Sequence, residues 1–409
     1  MLVKLAWRNL WRNKLRTSIV LGAMIFGLTS VSVMIGFMNG MLENMTSNAI
    51  NWQTSHLQVH QQGYRADPEI NNTILAEQSL AQLLNNSPHV KAWTSRHLAQ
   101  GMIASARSTR AITINGVQAQ QETKIRPLSE SIQAGQWLDE TGRHPIVISQ
   151  KTAQKLKLRV GSKVVLTFSD YQGDVSGAAF RVRGIYKSVL SPFDEANVFV
   201  RSDDLKKLSG LSSDHEIAIL VKDLQQINAL KTQITDSFQA SQNAINEIKS
   251  WDQLQPLLAT MSSTMEVSNL VMLFIFVLAM GFAIVNILLM SLFERTREFG
   301  VLMAVGMQKQ KILALISFES TLLGLVGATL GLIFSLLLVS ILQKTGINLE
   351  MLSDGLNSFG LDTLLFPSLT SKDYFTIFIT IVLTSFLAGL YPAWQILKQK
   401  PVDAMAEKH

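Results

Sequence analysis

Residues 267–293 read VSNLVMLFIFVLAMGFAIVNILLMSLF, a run without a single charged side chain. An α-helix rises about 1.5 Å per residue, so this run is long enough to span the roughly 30 Å hydrocarbon core of a bilayer. A helix buried inside a soluble protein rarely continues so far without a charge. The stretch therefore predicts a transmembrane helix, and it sets the class of the whole chain.

Three other apolar blocks share this character. They are Ile19–Met38, Ile312–Leu342 and Tyr374–Leu397, among which Glu319 is the single charged residue. The chain is 47% hydrophobic and 16% charged, against roughly 25% charged in soluble proteins. We therefore expect four transmembrane helices. The first is predicted to be a retained anchor, because its apolar run is longer than that of a signal peptide and bulky methionines stand where cleavage would occur.

The basic residues that flank the spans predict the orientation, because Lys and Arg accumulate on the cytoplasmic side. They precede the first span, connect the second and third, and follow the fourth: Lys4, Arg8, Arg12, Lys14, Arg16, Arg295, Arg297, Lys309, Lys311, Lys398, Lys400 and Lys408. Both termini are thus expected in the cytoplasm, and the segment between the first two spans in the periplasm. The net charge of +6 then reflects the inner face, and no nucleic-acid binding is expected.

The predicted fold class is a membrane α-helical protein with a large extracytoplasmic α/β domain inserted between helices 1 and 2. The expected boundaries are an interfacial helix at 1–17, spans at 18–40, 267–293, 312–342 and 373–397, the outer domain at 41–266, a cytoplasmic segment at 294–311, an outer loop at 343–372 and a tail at 398–409.

The outer domain is predicted from alternating or β-branched runs mixed with helical ones. The expected strands are His56–His60, Arg110–Val117, Pro145–Ser149, Lys163–Phe168, Phe180–Tyr186, Asn197–Val200 and Glu216–Val221; the expected helices are Leu75–Leu84, Gln150–Leu156 and Leu224–Phe238. Asp170–Gly177 is rich in turn-forming residues and predicts a hairpin. We expect one α/β domain with an inserted strand-rich lobe at about 116–190, lifted by helical extensions of the first and second spans.

The N-terminal residues 1–16 have helical spacing. Val3, Trp7, Leu10 and Trp11 share a face flanked by Lys4, Arg8 and Arg12. This pattern favours a helix in the inner membrane interface, with its rings at headgroup depth and its basic groups toward anionic lipid. A simple polybasic start to the first span accounts for the charges but not for the tryptophans.

No motif for chemistry stands out. A phosphate-binding loop of the G-x-x-x-x-G-K-[ST] type is missing from the sequence, so ATP binding by that route is not expected. His56 and His60 lie on one face beside Gln58, but no cysteine or nearby carboxylate joins them, and no metal site is predicted. No catalytic residue is proposed.

The segment Ser291–Gly331, SLFERTREFGVLMAVGMQKQKILALISFESTLLGLVGATLG, leaves the membrane and re-enters it almost at once. Phe299, Val301, Leu302 and Val305 make its charged part amphipathic, and Gly300 and Gly306 punctuate it. It could be an ordinary interfacial loop. A short helix that docks a partner is the sharper interpretation.

This segment resembles the signature of the FtsX/MacB-type permeases of ABC transporters. The E-x-x-R-E-x-G-x-L-x-A-x-G pattern is matched by Glu294, Arg297, Glu298, Gly300, Leu302, Ala304 and Gly306. The C-terminal Gly389–Trp394 and Pro401–Met405 and the N-terminal Trp7–Leu10 and Arg16–Thr17 resemble the closing and opening elements of the family. Met303 departs from the family, many members of which carry a basic residue there.

The resemblance implies a permease that recruits a separate cytoplasmic ABC ATPase, which binds ATP and Mg²⁺, so that this chain needs no cofactor. The coupling residues would be Glu294, Arg297, Glu298, Gly300, Leu302 and Gly306. Within the family the chain looks most similar to lipoprotein-releasing permeases. The implied function is ATP-driven release of a lipidated or amphipathic substrate from the outer leaflet. Alternatives are a mechanotransmitter of FtsX type that controls an extracytoplasmic partner, and a drug or peptide exporter of MacB type.

Span three contains Gly324, Gly327 and Gly331, which allow close helix packing either within the chain or across a dimer. A second permease copy or paralogue is expected, because four helices are few to enclose a path. A lipoprotein substrate and a periplasmic carrier are further implied partners. Glu319 either lies at the inner headgroups or is a buried functional carboxylate.

Methionines form two stripes at helical spacing: Met34, Met38, Met41 and Met45 on the first span, and Met261, Met265 and Met272 on the second. Methionine adapts to irregular apolar partners. The stripes either pack the two helices together or border a lateral groove for acyl chains, which the sequence leaves open.

Overall fold

The computed structural model describes residues 2–240 and 245–398. The predicted Pro401–Met405 element and the tail beyond Lys398 lie outside these residues. Contacts divide the chain into two compact units. The first, the membrane unit, comprises Met1–Glu43, Ser262–Asn348 and Leu364–His409; the second, the outer domain, comprises Asn44–Met261 and Leu349–Thr363.

The membrane unit is built on helices. They are α1 (Leu2–Leu10), α2 (Lys14–Ala49, continued by a π-helical turn at Ile50–Thr54), α10 (Pro256–Glu294), α11 (Thr296–Ala304), α12 (Lys309–Thr345) and α14 (Ser371–Lys398), with the short pair β11 (Ile347–Asn348) and β12 (Leu364–Leu365). Four of these, α2, α10, α12 and α14, are long and apolar enough to cross a membrane, as judged by length and composition. The four predicted spans are thus confirmed as helices, and the α/β domain lies between the first two.

The predicted interfacial helix is shorter than expected, because α1 ends at Leu10 and α2 begins at Lys14. Trp7 and Trp11 remain exposed and contact each other edge to face, with ring centroids 6.0 Å apart. Ala6 and Leu10 are buried. Arg12, one of the basic groups expected to face lipid, forms an ion pair with Glu298, and Arg16 forms one with Glu294. The orientation of the basic face toward lipid stays a prediction.

The remaining helices and strands belong to the outer domain. The helices are α3 (Glu77–Asn86), α4 (Ala119–Glu122), α5 (Gln150–Leu156), α6 (Ser191–Ala196), α7 (Ser202–Ser209), α8 (Ile227–Ala240), α9 (Trp251–Leu254) and α13 (Ser353–Ser358); the strands are β1 (Leu57–Gln61), β2 (Val90–Ala104), β3 (Thr109–Val117), β4 (Ile132–Gly135), β5 (Pro145–Ser149), β6 (Lys163–Ser169), β7 (Val175–Tyr186), β8 (Asn197–Arg201), β9 (Glu216–Val221) and β10 (Asn246–Ser250).

The strand pairings close on themselves. Strand β2 pairs with β3, and the ladder continues through β8, β5, β7 and β6 back to β2, which makes a six-stranded barrel. The inward alternation of these strands fills the barrel with Ile, Val, Leu and Phe side chains. The barrel strands run from Arg96 to Arg201, a wider range than the expected lobe at 116–190.

The first half of β2 belongs to a second layer, an antiparallel sheet in the order β10-β1-β9-β2. Helices α3 and α8 cover it, and their Leu80, Leu84, Leu230 and Ile234 are buried against its apolar face. A single 15-residue strand thus joins both layers. At its far end a Cβ on Gly101 would collide with the carbonyl of Thr167, so glycine there permits β6 to approach and the barrel to close.

Beside the point where β2 changes layers, His215 is fully buried. Its Nδ1 accepts a hydrogen bond from the backbone N–H of Leu98 (3.1 Å), and its Nε2 donates to the carbonyl of Ile70 (2.8 Å). The neutral ring satisfies both contacts, whereas a proton on Nδ1 would break the first. Burial, and secondarily the positive charge that the neighbouring His97 can carry, lower the pKa of His215 to about 4.

We predict that acid weakens the outer domain. The unfolded chain binds a proton at this histidine near the ordinary histidine pKa of 6.5, and the folded chain only near pH 4, so stability falls as the pH is lowered from about 6.5 to 4. The loss should reach about 3 kcal/mol from this group. Urea unfolding in detergent, followed by tryptophan fluorescence at pH 7 and pH 5, measures it. His215→Asn should be less stable at pH 7 but flatter with pH; an equally steep profile in that variant would assign the effect elsewhere.

Candidate functional site

The charged connection between the second and third spans contains a separate helix, α11. It begins after Arg295, whose backbone (φ −110°, ψ 10°) interrupts the preceding helix. It ends before Gly306, which has φ +94°, a conformation that a residue with a Cβ rarely adopts. The two breaks turn what would be one long helix into a short one with its own orientation.

The two faces of α11 differ in exposure. Thr296, Phe299 and Gly300 are buried, and Phe299 joins a cluster with Ala6, Leu292, Ile312, Leu315, Ile316 and Ala393. Leu302 and Met303 pack against the edge of that cluster. Val301 and Val305 lie on the opposite face with 48% and 83% of their surface exposed. The predicted apolar set is therefore split: Phe299 and Leu302 face inward, whereas the two valines face outward.

Arg295 is the centre of an ion-pair network around α11. Its side chain is buried, its Nε donates to Glu298 (3.1 Å), and its Nη1 donates to both oxygens of Glu319 (3.3 and 3.4 Å). The guanidinium also lies over the ring of Phe299, 5.3 Å from its centroid. Glu319 is thus a buried carboxylate that is paired with Arg295.

Two further ion pairs bind this region to the start of the chain. Arg12 Nη1 donates to Glu298 (2.9 and 3.2 Å), and Arg16 Nη2 donates to both oxygens of Glu294 (2.6 and 2.7 Å). Exposed pairs of this kind are worth about 0–1 kcal/mol each. They position the chain more than they stabilise it: they hold the junction of α1 and α2 against Glu294, just before α11, and against Glu298, within α11.

The predicted coupling residues therefore have three different environments. Glu294 and Glu298 are held by arginines of the same chain, and Gly300 is buried under the helix. Arg297 is exposed, and none of the acids among residues 2–240 and 245–398 forms an ion pair with it. Arg297 thus shares the free face with Val301 and Val305.

Arg295 itself was not among the predicted site residues. The sequence contained one signal for it: Glu319 is the only charge within the third span, and a carboxylate in that setting requires a cationic partner. Arg295 and Arg297 both follow the second span within four residues, and the phase of the helix decides which of them turns inward.

The small residues of span three pack within the chain. A Cβ on Gly324 would overlap the side chain of Ser385 in α14. A Cβ on Gly327 would lie 2.7 Å from Met24, and one on Gly331 would lie 3.0 Å from Leu28, both in α2. The three glycines therefore let α12 pack tightly against α14 on one side and α2 on the other. A second copy is not needed to explain them.

The predicted methionine stripes separate in the structure. Met265 lines a cleft of about 280 Å³ between α2, α10 and α14, together with Ile35, Asn39, Glu266, Asn269, Leu270, Leu273, Thr370, Lys372, Asp373, Thr376 and Ile377. Met272 packs against the core of the bundle instead, and Met45 is buried. Met34, Met38, Met41 and Met261 are exposed or half-buried outside the cleft lining.

The cleft has an apolar floor and a polar rim. Leu273, Ile35 and Ile377 form the floor. At the rim Asn269 Nδ2 donates to Asn39 Oδ1 (2.8 Å), and Lys372 Nζ donates to Glu266 (2.6 Å). An apolar chain fits such a floor, and a polar head fits such a rim.

We predict that the Arg295–Glu319 pair fastens α11 to α12. Arg295→Gln should lower the stability of the membrane unit by about 3–5 kcal/mol, because it leaves a buried carboxylate without its cation. The double variant Arg295→Gln/Glu319→Gln should recover much of this loss, and Arg297→Gln is the matched exposed control. Thermal unfolding in detergent and hydrogen exchange of residues 296–304 measure the effect. An Arg295→Gln protein as stable as Arg297→Gln would contradict it.

Comparisons with known proteins agree with the organisation above. Residues 17–237 match the family model of the MacB-like periplasmic core domain, and residues 270–401 match that of the FtsX-like permease C-terminal domain. An ABC transporter permease of Methanocaldococcus jannaschii is 26% identical over 52% of this chain and 52% of its own length. The macrolide export ATP-binding/permease protein MacB of Acinetobacter baylyi is 25% identical over 81% and 50%.

The lipoprotein-releasing system transmembrane protein LolC of Xylella fastidiosa is 21% identical over 95% of this chain and 91% of its own length. The chain spans about half the length of the first two relatives and nearly all of this third one. The two family models together cover the first span, most of the outer domain and most of the last three spans. The chain therefore belongs to the FtsX/MacB-type family of ABC transporter permeases.

Proposed function

We propose that this chain is a permease subunit that couples ATP hydrolysis by a separate cytoplasmic ATPase to release of a lipidated or amphipathic substrate from the outer leaflet. The observation that carries the proposal is the free face of α11, on which Val301 and Val305 lie next to the unpaired Arg297. The rest of α11 is held to the membrane unit by the Phe299 cluster and by Arg295. The length match with a lipoprotein-releasing relative supports the substrate class.

The free face of α11 has the composition of a docking surface. Val301 and Val305 expose apolar side chains, and Arg297 adds a cation one turn away. Apolar side chains that stay exposed beside a charged residue typify protein interfaces. An ATPase that presents a groove with an acidic rim would cover both features.

The buried face explains how docking would move the spans. The cluster around Phe299 joins α11 to α1, α10, α12 and α14, and the Arg295–Glu319 pair joins it to α12. Interiors are close-packed and transmit displacement. A displacement of α11 would therefore move the packed helices together. The close contacts at the α12 glycines would make α2 and α14 move with α12.

The cleft between α2, α10 and α14 is the proposed substrate site. Its floor accepts an acyl chain, and its rim accepts the polar remainder of a lipidated molecule, because Asn39, Asn269 and the Glu266–Lys372 pair supply donors and acceptors. Met265 is the methionine that contributes to this site. A second permease copy would enlarge the cleft into a path, and a periplasmic carrier would accept the released substrate.

Charge reversal at Arg297 is expected to separate hydrolysis from transport. Glu298 is a poor target because it already binds Arg12 and Arg295, so Arg297→Glu is the sharper change. The variant should lose co-purification with the ATPase or lose substrate-stimulated hydrolysis by tenfold or more, on the order of 1.4 kcal/mol. Lys14→Glu, an exposed change of the same charge, is the control. Full coupling in Arg297→Glu would remove the docking proposal.

Photo-crosslinking tests the substrate site. A photoreactive amino acid at Met265 or Leu270, both of which line the cleft, should trap lipid-modified protein in the ATP-free complex and lose it when ATP binds. The same probe at Met38, outside the lining, is the control. If probes at 265 and 270 trap no lipidated molecule, but instead an unmodified periplasmic partner, force transmission of the FtsX type replaces release as the function.

A further inference from the structure

The segment between the third and fourth spans, residues 349–363, has an unusual distribution of side chains. It contains a single 3₁₀ turn (Glu350–Leu352) and the six-residue α13. Met351, Leu352 and Phe359 have 101%, 61% and 70% of their surface exposed. Within the described part of the chain, nothing in the outer domain covers these three apolar side chains.

Four polar side chains of the same segment turn inward. Ser353, Asn357, Asp362 and Thr363 line a cavity of about 550 Å³ whose other walls come from α5, α6 and the loop before α6, including Lys151, Lys187 and Asp194. The segment therefore turns four polar side chains toward the protein and leaves three apolar ones exposed, although Leu361 is buried and Glu350 and Ser358 are exposed. A loop that faces water normally does the reverse.

Specific contacts hold the segment in this orientation. Asn44 Nδ2 donates to Asp362 (2.6 Å), and the backbone N–H of Asp362 donates back to Asn44 Oδ1 (3.0 Å). Asn48 Nδ2 donates to the carbonyl of Gly360 (2.9 Å). Gly360 has φ +74°, and a Cβ there would crowd Leu190. The outward apolar face is thus fixed by the fold and is not a frayed end.

The short connection to α12 limits how far the exposed apolar face of residues 349–363 can lie from the end of the third span. The α12 helix ends at Thr345, and Met351 follows six residues later, a distance of at most about 20 Å in a fully extended chain. Strands β11 and β12 pair Ile347 with Leu365, so both ends of the segment return to the end of α12. Ile341, one turn before that end, is 56% exposed and continues the apolar outer surface of the span.

The size of the face argues for lipid over protein. Three side chains of this kind present roughly 400–500 Å² of apolar surface, which is well below the about 800 Å² per partner of a stable protein interface. A bilayer imposes no such minimum, and apolar side chains at the headgroup boundary anchor a protein individually.

We propose that the 349–363 segment is a membrane foot of the outer domain, in which Met351, Leu352 and Phe359 insert into the outer leaflet. The foot adds a lipid contact to the two helical connections that α2 and α10 provide. It does not depend on the identity of the ATPase or of the substrate.

The chain has no cysteine, so single-cysteine labelling needs no prior substitutions. An environment-sensitive fluorophore (NBD) is attached at Met351→Cys or Phe359→Cys in the full chain, in nanodiscs of phosphatidylethanolamine and phosphatidylglycerol. Gln172→Cys, at the exposed hairpin tip between β6 and β7, is the aqueous control. We expect blue-shifted emission and quenching by a nitroxide-labelled lipid at 351 and 359, and quenching by iodide alone at 172.

A second variant separates lipid contact from folding. Met351→Ser/Leu352→Ser/Phe359→Ser changes exposed side chains only, so the outer domain should stay folded while hydrogen exchange in 349–363 rises several-fold in nanodiscs. Iodide quenching at 351 and 359 as strong as at 172 would overturn the proposal. So would protection from both quenchers, which would mean that a protein partner covers the face. Unchanged exchange in the triple variant would also overturn it.

Discussion

The outer domain depends on a buried group of four charges at the middle of β2. Arg96 is fully buried; its Nε and Nη2 donate to the two oxygens of Glu122 (2.9 Å each), and its Nη1 donates to Glu216. Arg126 adds a bond to Glu122 (3.1 Å) and lies over the rings of Phe193 and Phe199. The group is neutral in total. Any member left unpaired in this interior would cost about 3–5 kcal/mol, so the group favours the one arrangement in which the sheet and the barrel meet at Arg96.

In the membrane unit, too, a buried charge needs a partner of opposite charge. Glu319 lies inside an apolar span, where a lone carboxylate would be expensive, and Arg295 neutralises it from the end of the preceding helix. In both units the charge that appears out of place in the sequence marks a junction: Arg96 joins two layers, and Glu319 joins α12 to α11. An ion pair at such a junction favours one arrangement, because a shift of one helix or strand along the other would separate the two charged side chains.

The sequence predicted what depends on local pattern. The four apolar blocks became helices, and Pro145–Ser149, Gln150–Leu156 and Glu216–Val221 have the predicted bounds. The 15-residue β2 was missed, although it is the strand on which the domain is organised. Its run VKAWTSRHLAQGMIA has two adjacent polar residues, Arg96 and His97, in the middle, and these interrupt the alternation of apolar and polar residues that predicts a strand. These side chains are buried because Glu122, Glu216 and Asp214 reach them from elsewhere in the chain, and pairings at such separations leave no local signal. Strand β10 and α7 were missed for the related reason that they are short and polar.

In the candidate site, too, the sequence predicted the helix but not the orientation of its side chains. Spacing identified α11 and its apolar residues, but hydrophobicity does not say which apolar residues a helix buries. Phe299 and Val301 are two positions apart and therefore point to nearly opposite sides, and the ion pairs of Arg295 decide which side is inward. The same holds for Phe359, which is exposed beside the inward bonds of Gly360 and Asp362. In each case the polar contacts fix the orientation first. The apolar side chains that remain exposed on α11 and on the 349–363 segment then form the surfaces that we propose contact the ATPase and the lipid.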